Sequence, residues 1–339
     1  LVNNDFKRIL AYSTVSQLGY MFIGVGVGAF GAGIFHLMTH AFFKGLLFLT
    51  AGSVMHAMSG DLDIRNMGGL KKFMPATFWC IMMATLAISG IPGFSGFFSK
   101  DEILWQSFHR GHVFVWLLGT IAAGLTAFYM FRLTFVAFFG KPRMSEESKH
   151  HLHESPKVMT YPMMVLAVAA VVGGFVGVPA ILGGSNRFEK FLEPIIGGGG
   201  HEAVAEAAHV AVHASHSTEF LMMGISVAMG LIGIATAYLF YIKKPEIPER
   251  MASGMKGLYT LLYNKYFVDE FYNGFFVEGT KKFATFLWQK IDVGIIDAAV
   301  NGVANLVEWS GLMIRKLQTG YVQTYAFSIL AGGVVVFIY

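Results

Sequence analysis

Several long apolar runs constrain this chain more than any other feature of its sequence. Each approaches the roughly 20 residues that an α-helix needs to cross the hydrocarbon core of a bilayer. The 339 residues are 55% hydrophobic and only 14% charged, whereas about a quarter of the residues in an ordinary soluble domain are charged. The sequence therefore predicts an all-α polytopic membrane protein.

About seven membrane spans are predicted, and one of them is broken. The apolar runs lie at about 9–30, 32–58, 73–108, 112–139, 158–182, 218–242 and 320–339. The third run is too long for one simple helix, and SGIPGFSGF at 89–97 interrupts it with residues that oppose helix formation. Irregular backbone is tolerated at membrane depth only where it is buried in protein or lines a wet cavity.

The basic residues between the spans predict an orientation. They collect in the loops 59–72, 141–157 and 243–256, while the opposite side has few. The positive-inside rule places these three loops in the cytoplasm, or in the matrix of an organelle. We therefore expect a protein of the bacterial inner membrane whose C-terminus lies outside.

Three ionisable residues lie within the second apolar run, in HLMTHAFFKGLLFL at 36–49. His36, His40 and Lys44 have i, i+4, i+8 spacing, which places them along one helix face. A charged lysine at the centre of an isolated span costs on the order of 2.5–3.5 kcal/mol, so we expect Lys44 to face the protein interior. Because histidine titrates near neutral pH, the pattern predicts a proton relay. The alternative is that the histidines only bond neighbouring helices and Lys44 only forms an ion pair.

A second group of charges follows the interruption in the third run. Interrupted helices beside ionisable residues recur at ion sites in transporters, so Lys100 and Asp101 are candidate relay residues. The alternative is a turn near the surface with a polar end, which fits Asp101 and Glu102 better than Lys100. Lys7 is a third candidate, although a lysine at the end of a span often only reaches toward the headgroups. Arg132 also lies within a span, and only pairing with a carboxylate or a carbonyl is expected of it.

Histidine-rich segments raise the question of a metal site. The predicted external loop 183–217 is rich in glycine and histidine, and His209 and His213 would be i, i+4 on a helix. Such tracts can bind metal, but a solvated loop is the favoured interpretation here and for HHLH at 150–153. Cys80 is the sole cysteine, so the chain can form no internal disulfide.

Residues 256–316 are amphipathic rather than uniformly apolar. About 40 helical residues would extend roughly 60 Å, which exceeds the thickness of a bilayer. Such a helix should lie along the membrane surface or along neighbouring proteins. It could be a surface anchor or a brace across partner subunits, and its glycines could divide it into pieces.

Three segments together carry a family resemblance: DFKRILAYSTVSQLGYMF, FHLMTHAFFKGLLFLTAGSV and GIPGFSGFFSKDEIL. They resemble the antiporter-like membrane subunits of respiratory complex I, and most closely the distal subunit of the chain-L or subunit-5 type. The resemblance is strong over residues 1–140, and from 141 to 250 it rests mainly on the number of spans. The amphipathic stretch and the last span are similar to the lateral helix and terminal anchor of that subunit.

The resemblance implies a division of the chain. Residues 1–140 would form the second half of the antiporter-like proton-channel bundle, and 141–250 would add two further spans. Residues 256–316 would be the lateral helix and 320–339 the C-terminal anchor. The family fold normally starts well upstream, so the first half-channel would be missing from this chain.

The resemblance also assigns roles to residues. Lys44 matches the central-axis lysine of the family, and Lys100 matches the lysine of its broken helix. Lys7 matches the lysine that links toward the central one. The implied relay consists of Lys44, Lys100, His36, His40, Asp101 and Lys7.

Cofactors and partners follow from the same resemblance. No cofactor is expected in this chain, because FMN, the iron–sulfur clusters and quinone belong to partner subunits in the family. The expected partners are lipids and other membrane-arm subunits of complex I, especially adjacent antiporter-like subunits contacted by 256–316. No nucleic-acid partner is expected.

The favoured function is proton translocation as a subunit of NADH:quinone oxidoreductase, coupled at a distance to electron transfer. The main alternative is a subunit of a multisubunit Na⁺/H⁺ antiporter, which carries similar lysine-bearing helices. A third hypothesis is a structural scaffold in which the lysines only form pairs. An independent transporter is disfavoured, because the chain is expected to begin within a fold.

Overall fold

The computed structural model describes residues 1–144, 149, 152–196 and 216–339. Over these residues the secondary structure is helical, apart from one antiparallel bridge between Asp5 and Asp63. The described chain divides into two compact units, Leu1–Tyr263 and Asn264–Tyr339. The helical architecture, with several helices long and apolar enough to cross a membrane, confirms the predicted fold class.

The first unit is a helical bundle with α2 at its centre. Its helices are α1 (Phe6–Gly26), α2 (Phe30–Ala57), α3 (Pro75–Ser89), α4 (Ser95–His109), α5 (Val113–Phe138), α6 (Lys157–Val172), α7 (Arg187–Ile196), α8 (His216–Tyr238), α9 (Glu246–Gly254) and α10 (Lys256–Tyr263). Helix α2 packs against α1, α3, α4 and α6, and α5 packs against α8. The core around α2 is apolar and fully buried at Leu10, Phe43, Leu46 and Leu47.

The candidate membrane spans of this unit are close to the predicted runs. They are Phe6–Gly26, Phe30–Ala57, Val113–Phe138, Lys157–Gly177 and His216–Lys243. The first begins earlier than predicted, because Asp5 caps α1 by accepting a hydrogen bond from the backbone N–H of Arg8 at 2.8 Å. The fourth ends at Gly177, earlier than predicted, and its last turn, Gly173–Gly177, is a 3-10 turn that follows α6.

The interrupted third run forms two helices, α3 and α4. Gly90 ends α3 in the left-handed conformation with φ of 75°, which glycine adopts without steric cost. At Gly96, in the first turn of α4, the carbonyl oxygen of Ala87 occupies the place where a Cβ would lie. The glycines therefore allow α4 to begin against the end of α3.

The second unit contains one continuous helical run and a terminal helix. The run joins α11 (Val268–Tyr272), α12 (Glu278–Phe286) and α13 (Ala298–Arg315) through the π-helical segments Asn273–Val277 and Leu287–Asp297, and α14 (Val322–Ile338) follows. The amphipathic stretch predicted at 256–316 is thus continuous only from Val268. Its break lies at Lys265–Phe267, where three consecutive residues have positive φ. The glycines within 268–315 lie inside the run and do not divide it.

Candidate functional site

Helix α2 places His36, His40 and Lys44 in the interior of the bundle. Their side chains are 0%, 7% and 5% exposed. The ring centroids of the two histidines are 6.2 Å apart, and Phe43 packs edge-on against His40 with centroids 5.4 Å apart. The regular spacing in sequence therefore gives a buried line of ionisable groups along one helix.

His36 is held from both sides by α1 and α4. Its Nε2 lies 3.1 Å from Gln17 Oε1, and its Nδ1 lies 2.9 Å from Ser99 Oγ. A neutral His36 can donate from Nε2 to Gln17 and accept at Nδ1 from the Ser99 hydroxyl. A protonated His36 can donate from Nδ1 to Ser99, whose own proton can then go to the carbonyl of Ser95 at 3.2 Å. The contacts are compatible with both protonation states.

Lys44 donates to a backbone carbonyl rather than to a carboxylate. Its Nζ lies 2.7 Å from the carbonyl oxygen of Leu10 in α1 and 5.7 Å from the ring centroid of Phe48. That separation is within the range of a cation–π contact. A carbonyl accepts a hydrogen bond from an ammonium or from a neutral amine alike, so this contact also tolerates either state.

Lys100 lies at the C-terminus of α3, although it belongs to α4. Its Nζ approaches the carbonyl oxygens of Ile88 and Ser89 at 3.4 and 3.2 Å. The last carbonyls of a helix lack intrahelical partners and carry partial negative charge, so this end attracts a cation. The break at Gly90 exposes these acceptors, and a Cβ at Gly90 would lie 2.9 Å from the lysine nitrogen.

Asp101 points to a different helix from its neighbour in sequence. Its Oδ1 accepts a hydrogen bond from Ser226 Oγ of α8 at 2.6 Å. Within the described residues, neither Lys44 nor Lys100 forms a salt bridge. The buried lysines are thus not held in direct ion pairs by the described carboxylates.

The groups follow one another through the bundle. Lys44, His40 and His36 lie along α2, and the Ser99 contact of His36 leads to α4, which carries Lys100 and Asp101. Among the described residues, most of the buried side-chain atoms without a hydrogen-bond partner lie along this series: Gln17 Nε2, His40 Nε2, Ser89 Oγ, Ser95 Oγ and Asp101 Oδ2. Buried polar groups are usually satisfied by protein or by internal water. The series therefore offers spare hydrogen-bonding capacity along its length.

Lys7 and Arg132 lie apart from this series. Lys7 Nζ is 3.0 Å from Met55 Sδ, and the structure gives it no hydrogen bond to Lys44. Arg132 donates to the carbonyl of Asn3 at 2.5 Å and to Tyr241 Oη at 3.1 Å, so it ties the N-terminal segment to α5 and the end of α8. The sequence predicts a carboxylate or a carbonyl as the partner of Arg132, and the carbonyl of Asn3 is such a partner.

The sequence reasoning missed the neutral side chains around the ionisable groups. Gln17, Ser99 and Ser226 contact His36 or Asp101 directly, yet none was singled out. Each of the three is a polar residue inside an apolar run, and this position was the sequence signal that could have identified it. Serine and threonine give a weak signal, because their hydroxyls also bond the carbonyl one turn back, as Thr134 does.

No metal centre was found among the residues that the structure describes: they contain no group of three or more histidine, cysteine, aspartate or glutamate side chains able to hold an ion. His209 and His213 lie outside the described residues, as do His150 and His151. The metal hypothesis for these tracts stays a prediction.

Membrane-crossing helices around a buried ionisable series define an integral membrane protein with a polar core. The family model "NADH:quinone oxidoreductase/Mrp antiporter, TM" matches residues 1–126. A second family model, for the C-terminal transmembrane region of an NADH dehydrogenase subunit in complex I, matches residues 130–289. Over these two ranges the chain is similar to the antiporter-like membrane subunits of the complex I family.

Similar proteins carry matching names. The chain is 43% identical to NAD(P)H-quinone oxidoreductase chain 5 of Picosynechococcus sp., over 100% of this chain and 53% of that protein. It is 37% identical to NADH-quinone oxidoreductase subunit L of Neisseria meningitidis, over 98% and 52%. It is 39% identical to F(420)H(2) dehydrogenase subunit L of Methanosarcina mazei, over 98% and 51%. The chain spans about half the length of these relatives.

A solved structure is more distantly similar. The Mrp complex from Dietzia sp. includes a chain with 24% identity and a TM-score of 0.49, over 89% of this chain and 32% of that chain.

Proposed function

We propose that this chain translocates protons as part of a membrane-arm subunit of an NADH:quinone oxidoreductase. Lys44 holds and passes a proton at the centre of the bundle, and His40 and His36 carry it toward Lys100 and Asp101. Lys7 would couple Lys44 to the rest of the subunit. Electron transfer in partner subunits would drive the movement by shifting charge next to the series, since a nearby charge changes the protonation equilibrium of its neighbours.

One observation carries this proposal: the contacts of His36, Lys44 and Lys100 suit both protonation states. A scaffold in which the lysines only form pairs would require carboxylates at hydrogen-bond distance from Lys44 and Lys100. Their acceptors are instead the carbonyls of Leu10, Ile88 and Ser89. A carbonyl does not fix the charge of the amine, so proton exchange needs no ion pair to be broken.

The placement of the chain in its complex is part of the proposal. Residues 1–140 would be the second half of a proton-channel bundle, with 141–250 beside it and 320–339 as an anchor. The loops 59–72, 141–157 and 243–256 would face the bacterial cytoplasm, and the C-terminus would lie outside. FMN, iron–sulfur clusters and quinone would lie in partner subunits.

The helical run of the second unit supports a brace along neighbouring subunits. Large apolar side chains such as Phe275 and Trp288 are 66% and 59% exposed. Large exposed apolar patches are typical of protein or membrane contacts. We propose that adjacent antiporter-like subunits and lipid cover this exposed surface of 256–316.

The test uses the full-length subunit with Lys44→Met in the assembled complex, in sealed inverted membrane vesicles. We expect assembly on a native gel to be retained and the proton gradient per electron transferred to fall several-fold. Lys72→Met, an exposed lysine in the loop before α3, is the matched control and should change neither quantity. An unchanged yield in Lys44→Met would overturn the relay.

A Na⁺/H⁺ antiporter subunit is the second candidate, because the first family model covers Mrp antiporters as well. The two functions differ in the driving force for proton movement, which is electron transfer in the oxidoreductase and a sodium gradient in the antiporter. Acidification that depends on NADH and is indifferent to sodium supports the oxidoreductase. Acidification or alkalinisation driven by a sodium gradient without an electron donor would favour the antiporter.

A further inference from the structure

Two cavities meet at a glutamate that the series described above does not include. The inner cavity has a volume of about 20 Å³ and is lined in part by Asp101, Glu102, Glu219 and Ser226. A cavity needs about 10–15 Å³ of this kind to hold one water molecule. The inner cavity therefore has room for one water molecule, and both Asp101 and Glu102 line it.

The outer cavity is open and much larger, at about 460 Å³. It is lined by the turn between α1 and α2, by one face of α4 and by α7. Its charged or amide-bearing side chains are Glu102, Gln106, Arg110, Asn186, Glu189, Lys190 and Glu193. Glu102 is the residue of α4 that lines both cavities.

Glu102 is held in place by a ladder of hydrogen bonds along α4. Its Oε1 accepts from Gln106 Nε2 at 2.8 Å, and Gln106 Oε1 accepts from Arg110 Nε at 3.3 Å. Arg110 in turn donates to the carbonyl of Val27, at the end of α1, at 2.8 Å. The ladder fixes the carboxylate from the side of the outer cavity.

Asp101 is among the residues that line the inner cavity. The residue is only 7% exposed, and its Oδ1 accepts from Ser226. Its Oδ2 is buried and, among the described residues, has no hydrogen-bond partner. A carboxylate in this position can exchange a proton through one water, which is the reach that proton transfer requires.

We propose that Glu102 passes protons between Asp101 and the outer cavity, which makes the outer cavity the mouth of the relay. This inference rests on the proposed function. A protonated Asp101 gives its proton to the water in the inner cavity, and that water gives a proton to the Glu102 carboxylate. Each transfer breaks one O–H bond and forms another, and Glu102 then releases the proton to solvent in the outer cavity.

The alternative is that Glu102 only orders α4 through Gln106. Glutamine at position 102 keeps the size and the ability to bond Gln106, but it cannot carry a proton. Aspartate keeps the acid and shortens the side chain. A proton-carrying role predicts that aspartate restores more function than glutamine, and an ordering role predicts the reverse.

The experiment measures protons moved per electron in vesicles that contain the assembled complex with full-length Glu102→Gln, Glu102→Asp or Lys44→Met. We expect Glu102→Gln to lower the yield about tenfold, on the scale of a lost proton-transfer group, and Glu102→Asp to recover most of it. Glu249→Gln, at an exposed position of α9, is the control and should match the unaltered complex. A normal yield in Glu102→Gln beside a reduced one in Lys44→Met overturns this inference alone. Normal yields in both overturn the proposed function.

A second measurement applies if Glu102→Gln fails to assemble. Glu189→Cys places a thiol at the outer cavity, where position 189 is exposed, whereas Cys80 is buried. Attachment of a trimethylammonium reagent should lower the proton yield several-fold relative to the unmodified variant, and the same reagent on Glu249→Cys should not. Equal yields before and after modification at 189 would show that the outer cavity is not the mouth.

Discussion

The bundle of the first unit and the helical run of the second differ in how they accommodate charge. In the bundle, Lys44 and Lys100 are buried and donate to backbone carbonyls. In the helical run, Lys281 is exposed and donates to Glu278 one turn away at 2.9 Å. That hydrogen bond and the charge of Lys281 hold the pKa of the Glu278 carboxyl below its ordinary value.

The difference shows which charges depend on the surrounding fold. Exposed ion pairs contribute little to stability, because water solvates both charges well. Buried ionisable groups are costly unless the surrounding helices supply acceptors at the right places. The bundle supplies such acceptors at several positions, while the run leaves large apolar side chains exposed. The first pattern suits proton exchange, and the second suits contact with neighbours.

The largest effect on the bundle is expected from Gly96→Ala. The added methyl would overlap the carbonyl of Ala87, which is backbone and cannot move aside as a flexible side chain would. Overpacking costs about 1–3 kcal/mol and here should fall at the upper end. The thermal unfolding midpoint of the purified complex measures this loss of stability. Gly19→Ala, where nothing lies within 4 Å, is the control and should not destabilise; equal midpoints for the two variants would contradict the close approach of α3 and α4.

An intermediate effect is expected from Ser99→Ala, which leaves His36 Nδ1 without its hydroxyl partner. A buried polar group deprived of its partner costs about 1–3 kcal/mol. Ser310→Ala removes a hydroxyl of similar kind from the exposed run, where it donates to the carbonyl of Val307, and should change stability by less than about 0.5 kcal/mol. The thermal unfolding midpoint of the purified complex measures the stability of both variants. If the two variants behave alike, the bundle and the run do not differ in the way described.

The smallest effect is expected from Lys281→Gln in the helical run. Both partners of this pair are more than half exposed, so we expect no measurable shift in the thermal midpoint at moderate salt. A clear destabilisation that persists at high salt would show that the pair is part of a protected interface in the complex, because salt screens a protected pair only weakly. Lys281 and Glu278 would then be exposed only in the isolated subunit.

The sequence predicted much of the bundle and less of the site. The i, i+4, i+8 spacing was enough to place His36, His40 and Lys44 on one face, and the glycines and proline of 89–97 marked the broken helix. Backbone acceptors leave no trace in a sequence, so the partners of Lys44 and Lys100 could not be predicted. Ser226 lies 125 residues from Asp101, a separation that no local pattern reports.

The break before the helical run also lacked a sequence signal. Lysine, tyrosine and phenylalanine at 265–267 rarely adopt positive φ, so the glycines further along were the more natural candidates. Those glycines lie within helix instead.

Lys44→Arg in the assembled complex tests the central claim most directly. Arginine keeps the positive charge and can still donate to the carbonyl of Leu10, but it does not release its proton. We predict that the complex assembles and that the proton gradient per electron falls as far as in Lys44→Met. A normal gradient in Lys44→Arg would contradict the account, because a fixed charge at position 44 would then be sufficient.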